Sequence, residues 1–257
     1  GATQELYLPL HKSIDRRGIT VHKDISYGPN ERHLLDIHVP EHSSGSMASV
    51  IFFHGGGFVR GHKNVAGEMM YGNISNYFAR NGVIGINATY RLAPEHKWPS
   101  GAQDVGRALK WVRENIVGYG GEPAKMIAMG QSAGATHVAT YAFRSDIHGS
   151  NGPSCAGFIL MSGVYGINKE NITGNIKGTF LVRILKLSEN PWNKDKIISE
   201  TTGTINPPVL TICLKDRDKC QSLISLFENK STIAKGIKRK KINQYFFLPL
   251  ILKNIKK

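Results

Sequence analysis

The chain of 257 residues contains two short apolar runs that each lead directly into a cluster of glycines. Residues 49–53 precede the string HGGG at 54–57, and residues 126–129 precede the string GQSAG at 130–134. Apolar runs of this length, bounded by turn-forming residues, are typical of strands buried on both faces of a parallel sheet. Because parallel strands present their carboxyl ends at one edge of the sheet, we expect both glycine clusters to face the same crevice.

Strand and helix patterns alternate along the chain. Partial alternation in residues 21–27 and 33–39, with GPN between them, predicts an antiparallel hairpin at a sheet edge. The remaining predicted strands are 49–53, 83–89, 126–129, 156–161 and 209–214, and the predicted helices are 65–80, 101–115 and 132–143. This order predicts an α/β fold with a mainly parallel central sheet, helices on both faces and amino-terminal antiparallel edge strands.

Length and an apolar fraction of 40% predict a single domain over residues 1–257. Within it, the irregular stretch 163–206 is expected to form a lid or cap over the carboxyl edge of the sheet. Residues 236–257 form an atypical basic tail, which either supplies a last strand at 245–252 or has no packed role.

The net charge of +14 is concentrated late in the chain, where nine basic residues and no acidic ones follow from Lys230 onward. Runs of like charge are usually solvated, and no recognition motif accompanies this one, so we expect no specific nucleic-acid partner. No apolar run approaches the ~20 residues of a membrane helix, and no targeting segment is evident. We therefore expect a soluble, cytoplasmic protein, and the oligomeric state stays open.

Three cysteines, Cys155, Cys213 and Cys220, are an odd number without metal-type spacing. Cys155 and Cys213 lie in apolar surroundings that predict burial in a reducing compartment. The sequence indicates no metal and no cofactor.

The string at 130–134 fits the pattern G-x-S-x-G between a strand and a helix, which presents the hydroxyl of Ser132 above the sheet. The alternative is a glycine-containing loop with an idle serine. The backbone amides of the HGGG string can hold the oxyanion that forms when a carbonyl is attacked, unless the string is only a tight or phosphate-binding turn. Together, one βαβ unit apart, the two motifs favour acyl transfer.

With the string YRLAPEH at 90–96 and WP at 98–99, these motifs resemble the hormone-sensitive-lipase and bacterial carboxylesterase branch of the α/β-hydrolase fold, near the kynurenine formamidases. The resemblance covers residues 33–163. It implies that Ser132 is the nucleophile and that the amides of Gly56, Gly57 and Ala133 form the oxyanion hole.

By the same resemblance the 90–96 segment supports the site without taking part in the chemistry. His54 and His96 are accordingly expected to be structural.

The chain order of this fold is serine, then an acid, then a histidine. The acid is expected after the strand at 209–214, where Asp218 is slightly preferred over Asp216, although both also suit a solvated turn. The catalytic histidine is not found, because no histidine follows His148.

Three hypotheses follow from the missing base. The chain is a truncated or frame-altered member of an esterase family, a non-catalytic small-molecule-binding descendant like the plant gibberellin receptors, or an enzyme that recruits another histidine. The candidates for recruitment are His62, His137 and His148. His137 lies on the helix after Ser132 and is expected to point along it.

The predicted function is hydrolysis of short acyl or aryl carboxylic esters through a serine acyl-enzyme, impaired by the absent histidine. The alternatives are a ligand-binding pseudoenzyme on the same fold and an arylformamidase-type amide hydrolase. The expected partner is a small-molecule ester or amide.

Overall fold

A computed structural model describes residues 2–42, 45–64, 70–164 and 210–214. The strands are β1 (Ile19–Ser26), β2 (Leu34–Pro40), β3 (Met47–Phe53), β4 (Ile84–Ala88), β5 (Gly121–Gln131), β6 (Gly157–Met161) and β7 (Leu210–Leu214). The α-helices are α1 (Ala2–Lys12), α2 (Gly72–Arg80), α3 (Ser100–Asn115), α4 (Ala133–Phe143) and α5 (Ser145–His148), with a 3₁₀ helix at Ile116–Tyr119.

The seven strands form one sheet in the order β1-β2-β4-β3-β5-β6-β7. The four strands β4, β3, β5 and β6 are parallel neighbours. β1 and β2 form the antiparallel hairpin at one edge, as the sequence predicts, and β2 joins it to β4. The α/β-hydrolase class of fold, with its mainly parallel centre and antiparallel amino-terminal edge, is confirmed.

Both faces of the central strand β3 are buried, which explains its continuous apolar run from Val50 to Phe53. In β3, Ile51 and Phe53 pack into one hydrophobic cluster, whereas Val50 and Phe52 pack into the other. The first cluster is covered by α3 and α4, and the second is covered by α2 through Phe78. Side chains that alternate between two covered faces need no polar positions, since neither face meets water.

The structure differs from the sequence prediction in several places, and α5 and the 3₁₀ helix are among the elements that were not predicted. The segment 2–12 forms α1, for which no helix was predicted. The helix predicted from residue 65 begins at Gly72, and residues 65–69 lie outside the described part. The strand predicted around 126–129 extends over eleven residues as β5, because it pairs along β3 from Met47 onward.

The predicted strand at 209–214 is present as β7, but it runs antiparallel to β6. Leu210 lies beside Met161, and Leu214 lies beside Gly157 at the amino end of β6. β7 therefore ends at the edge of the sheet opposite to the crevice. The described part of the predicted lid is limited to 163–164, and the basic tail lies outside the described residues.

Cys155 is buried, as predicted, and carries no disulfide. No helix among the described residues has the length and apolar character needed to span a bilayer.

Candidate active site

The structure brings the two glycine motifs into direct contact. β3 and β5 are neighbours in the sheet, and Phe53 pairs with Gly130, so both motifs leave the sheet from the same level. A Cβ atom on Gly55 would lie 2.2 Å from Oε1 of Gln131, the residue before Ser132. The HGGG turn therefore borders the serine elbow, as the shared crevice requires.

Ser132 occupies a backbone conformation that non-glycine residues rarely adopt, with φ of 52° and ψ of −118°. Such a conformation costs on the order of 1–3 kcal/mol and persists only where neighbouring structure imposes it. Here the chain turns from β5 into α4 within one residue. The turn leaves Ser132 half-buried, at the carboxyl end of a central strand.

The two glycines of the elbow are required by close backbone contacts. A Cβ atom on Gly130 would lie 2.5 Å from the carbonyl of Gly134, across the turn itself. A Cβ atom on Gly134 would lie 2.2 Å from the carbonyl oxygen of Phe53 and 2.6 Å from that of His54. Helix α4 therefore begins in contact with the end of β3, which fixes the elbow against the HGGG turn.

Backbone hydrogen bonds hold the serine in this position. The amide of Ser132 donates to the carbonyl of Met161 at 2.8 Å, and the carbonyl of Ser132 accepts from the amide of Thr136 at 3.1 Å. The hydroxyl of Thr136 also contacts Val164 at the end of β6. The elbow is thus anchored to β6 on one side and to its own helix on the other.

The predicted oxyanion donors lie on the two sides of this contact. Ala133 is the first residue of α4, where backbone amides have no acceptor within the helix. Gly57 is exposed, has a φ of 60°, and a Cβ atom there would meet nothing within 4 Å. Gly56 is pressed against the carbonyl of Arg60 on its other side. This arrangement can present amides to a carbonyl oxygen above Ser132, although the assignment of Gly56, Gly57 and Ala133 stays a prediction.

The segment that follows β4, residues 90–93, holds the HGGG turn in place. The hydroxyl of the fully buried Tyr90 donates to the carbonyl of His54 at 2.7 Å, and the two rings stack at 4.4 Å. The amide of Ala93 donates to the carbonyl of Phe58 at 3.0 Å. These contacts agree with the supporting role expected for residues 90–96.

A buried carboxylate, which the sequence analysis missed, anchors the same segment. Asp104 of α3 is fully buried and accepts from the guanidinium and the amide of Arg91. Nε2 of His33 lies 3.0 Å from the same carboxylate, while Nδ1 of His33 accepts from the amide of Asn30. Burial lowers the pKa of His33, so a neutral ring that donates through Nε2 fits both contacts. An aspartate on the apolar face of a predicted helix is the signal that could have revealed it.

The two histidines nearest the motifs are buried and neutral. Burial lowers the pKa of His54 to about 3 and that of His137 to about 4. His137 packs against the rings of Tyr90 and Phe58. A group with so low a pKa is a weak base, so neither histidine is suited to take the proton of Ser132 at neutral pH.

The other candidate bases are also engaged elsewhere. Nδ1 of His62 accepts from the amide of Asn64, and Nδ1 of His148 lies 2.7 Å from the carbonyl of Gly149. His148 follows the far end of α4, an eleven-residue helix about 16 Å long. Within the described ranges no histidine is hydrogen-bonded to Oγ of Ser132.

The predicted acids, Asp216 and Asp218, lie outside the described residues and remain predictions. The last described residue before them, Leu214, lies beside Gly157 and not beside Met161.

Comparisons with known proteins agree with this geometry. The family described as BD-FAE matches residues 35–153, which contain both glycine motifs. Esterase LipQ of Mycobacterium tuberculosis is 37% identical over 141 residues, which are 53% of this chain and 32% of LipQ. The chain is thus similar to carboxylesterases of the α/β-hydrolase fold.

Other relatives include phenmedipham hydrolase of Pseudarthrobacter oxydans, 33% identical over 42% of the chain and 22% of that protein. The probable isoprenylcysteine alpha-carbonyl methylesterase ICMEL2 of Arabidopsis thaliana is 29% identical over 73% of the chain and 43% of its own length. The chain thus spans less than half the length of these curated relatives. Among solved structures, a bacterial heroin esterase aligns with a TM-score of 0.48 at 22% identity, over 59% of this chain and 47% of that one.

Proposed function

We propose that this chain carries the nucleophile and oxyanion hole of a serine carboxylic-ester hydrolase, acting on short acyl or aryl esters. One observation supports this most strongly: Gly55 lies against Gln131, which places the HGGG turn beside the strained Ser132. The similarity to an esterase, LipQ, and to a probable methylesterase, ICMEL2, supports ester bonds as the substrate class.

In this mechanism Oγ of Ser132 attacks the ester carbonyl carbon, and its proton passes to a base. The carbonyl oxygen becomes an oxyanion that accepts hydrogen bonds from the amides of Gly56, Gly57 and Ala133. Collapse of this intermediate expels the alcohol, which takes up a proton, and leaves an acyl group on Ser132. Water then attacks the acyl-enzyme and releases the acid. Each amide donor is worth on the order of 2.7–4 kcal/mol in such reactions.

The proposed attack requires a base that accepts the proton of Ser132. A serine hydroxyl is a poor nucleophile without a neighbouring group to accept its proton. No histidine follows His148 in the sequence, and none in the described part of the chain is hydrogen-bonded to Ser132. We therefore propose slow turnover by this chain, since an oxyanion hole and binding alone retain roughly 10³–10⁴-fold acceleration over water.

The proposal is tested by labelling the purified chain with a fluorophosphonate and by following hydrolysis of p-nitrophenyl acetate. The wild type is expected to label at a single serine and to hydrolyse the ester slowly, and Ser132→Ala is expected to do neither. An N-formyl anilide compared with the ester separates formamidase-type amide hydrolysis from esterase activity. Labelling that persists in Ser132→Ala would refute the assignment.

A ligand-binding pseudoenzyme is the second candidate, because the same absence of a base favours it. It requires saturable binding of a small acyl ligand without covalent modification of Ser132. Calorimetric titration with a non-hydrolysable ester analogue, run beside the labelling assay, distinguishes the two functions.

A further inference from the structure

The loop that follows the HGGG turn contains a lysine whose side chain is completely buried. Nζ of Lys63 lies 2.7 Å from Oδ1 of Asp36 and 2.6 Å from Oδ1 of Asp24. The side chain of Asp36 is only 5% exposed, so the Lys63–Asp36 pair is withdrawn from water. A third contact, at 3.3 Å, joins Nζ to Oδ1 of Asn64.

The two carboxylates come from the antiparallel edge hairpin, which supplies no residue to the proposed chemistry. Asp36 lies in β2, and Asp24 lies in β1 where the pairing register shifts and φ is 54°. The amide of Asp24 donates to Oδ1 of Asp36 at 2.8 Å. Hydrogen bonding to Lys63 lowers the pKa of the Asp24 carboxyl. The irregularity in β1 thus brings a second carboxylate to the same ammonium group.

Stability alone does not explain this arrangement. Removal of an ammonium and a carboxylate from water costs several kcal/mol per ion, and apolar residues of similar volume often stabilise a fold better. A buried ion pair does impose a defined geometry, because either charge is costly to leave unpaired. Such a pair is therefore well suited to fixing one segment against another.

Lys63 fixes a segment that directly borders the predicted oxyanion hole. The amide of Arg60 donates to the carbonyl of Gly56 at 3.1 Å. A Cβ atom on Gly61 would lie 2.3 Å from the carbonyl oxygen of Gly55, so the chain at Gly61 packs directly against the HGGG turn. A shift of residues 60–63 would therefore move the peptide groups of the turn.

The same segment has a second attachment to the edge hairpin. Arg32, between β1 and β2, donates through Nη2 to the carbonyl of Gly61 at 2.7 Å and through Nε to that of Tyr90 at 2.8 Å. On the sheet side, Nδ2 of Asn87 donates to the carbonyl of Lys63 at 3.0 Å.

We propose that Lys63 is a positioning residue for the oxyanion hole: its ion pair with Asp36 and Asp24 clamps the HGGG turn to the edge hairpin. The role rests on the proposed function, because positioning matters only if the amides of the turn stabilise an oxyanion. A displacement of these donors by about 1 Å can cost roughly 100-fold in rate.

The test uses the chain of 257 residues and separates positioning from folding. Lys63→Met alone leaves Asp36 buried and unpaired, so the main variant is Lys63→Met combined with Asp36→Asn. The asparagine keeps an oxygen for the amide of Asp24 and removes the unpaired charge. Val112→Ala, a buried change on α3 away from the loop, provides a control with reduced thermal stability.

Three quantities are measured for each variant: the thermal midpoint, the second-order rate constant of fluorophosphonate labelling at Ser132, and hydrogen exchange of peptides covering residues 54–64. The double variant is expected to label at least about tenfold more slowly than the wild type, and residues 54–64 are expected to exchange faster. Val112→Ala is expected to label within about twofold of the wild type, with unchanged exchange in this segment.

A folded double variant with wild-type labelling and wild-type exchange would overturn the clamp. A loss of labelling equal to that of Val112→Ala at matched thermal midpoints would also overturn it, because reduced stability would then explain the effect. A wild-type chain without Ser132-dependent labelling would instead refute the proposed function. In that case, hydrogen exchange of residues 54–64 would still test whether Lys63 fixes this segment to the edge hairpin.

Discussion

Replacement of Gly134 by alanine tests the contact that joins the serine elbow to the HGGG turn. The added Cβ atom would lie 2.2 Å from the carbonyl oxygen of Phe53 and 2.6 Å from that of His54. Ordinary van der Waals contact begins at 3.4 Å, so β3 and α4 would have to separate by about 1 Å. Both obstacles are backbone atoms and cannot rotate away as a side chain could.

We expect two consequences of this forced separation. Overpacking of a well-packed core costs about 1–3 kcal/mol, which should appear as a lower midpoint in urea unfolding followed by tryptophan fluorescence. Displacement of Ser132 from the amide donors by about 1 Å should also slow its labelling by a fluorophosphonate, by roughly 10- to 100-fold.

Gly118→Ala is the matched control. A Cβ atom on Gly118 would meet nothing within 4 Å, and the residue does not have a positive φ. This change should be neutral or stabilise the chain by about 0.4–1 kcal/mol, because it restricts the unfolded state. A Gly134→Ala variant that matches Gly118→Ala in both stability and labelling would refute the inferred contact.

Three further predictions follow from other parts of the site. Ser132→Gly should unfold at a higher urea concentration than Ser132→Ala. Glycine relieves about 1–3 kcal/mol of backbone strain at this φ, which exceeds its entropic cost of roughly 0.5–1 kcal/mol. Equal unfolding midpoints would contradict the strained conformation of Ser132. Tyr90→Phe should lose about 1–3 kcal/mol of unfolding free energy, since it leaves the buried carbonyl of His54 without its donor, whereas Tyr77→Phe in α2 should change little. Burial lowers the pKa of His137 to about 4 in the folded chain, whereas the unfolded chain binds this proton near pH 6.5. The free energy of unfolding should therefore decrease by about 1.4 kcal/mol for each pH unit as the pH is lowered from 6.5 to 4. His137→Leu should lack this share of the slope in urea titrations at pH 6.5, 5.5 and 4.5, and an identical slope would refute it.

Most of the central sheet could be predicted from the sequence because burial on both faces leaves a plain local pattern. Nearly continuous apolar runs marked β3 and β4, and the glycine strings that follow β3 and β5 marked the turns. The predicted hairpin followed from partial alternation around a turn. These features depend on residues close together in the chain.

The ionic support of the site could not be predicted in the same way. Lys63 pairs with Asp36 across 27 positions of sequence, and Asp104 meets His33 across 71. Charged side chains are usually solvated, so an isolated lysine or aspartate in the sequence carries no sign that it is buried. Only the folded topology shows that such residues share a partner.

The direction of β7 could not be predicted from the sequence either. An apolar run predicts a strand but contains no information about which way that strand runs beside its neighbour. The order expected for the fold favours an acid turn at the crevice, whereas the antiparallel pairing places Leu214 beside Gly157. Asp216 and Asp218 therefore depend on evidence other than the strand pattern.

Among the strands that the structure describes, the pairing of Phe53 with Gly130 joins β3 to β5, with three strands on one side and two on the other. Local unfolding begins where backbone bonds are least protected, which in a sheet means its outermost strands. On gentle heating or at low urea, the outer strands should therefore loosen while the nucleophile and its amide donors stay in register. If the sheet unfolds from its outer strands inward, Ser132 would be among the last residues to lose its native contacts.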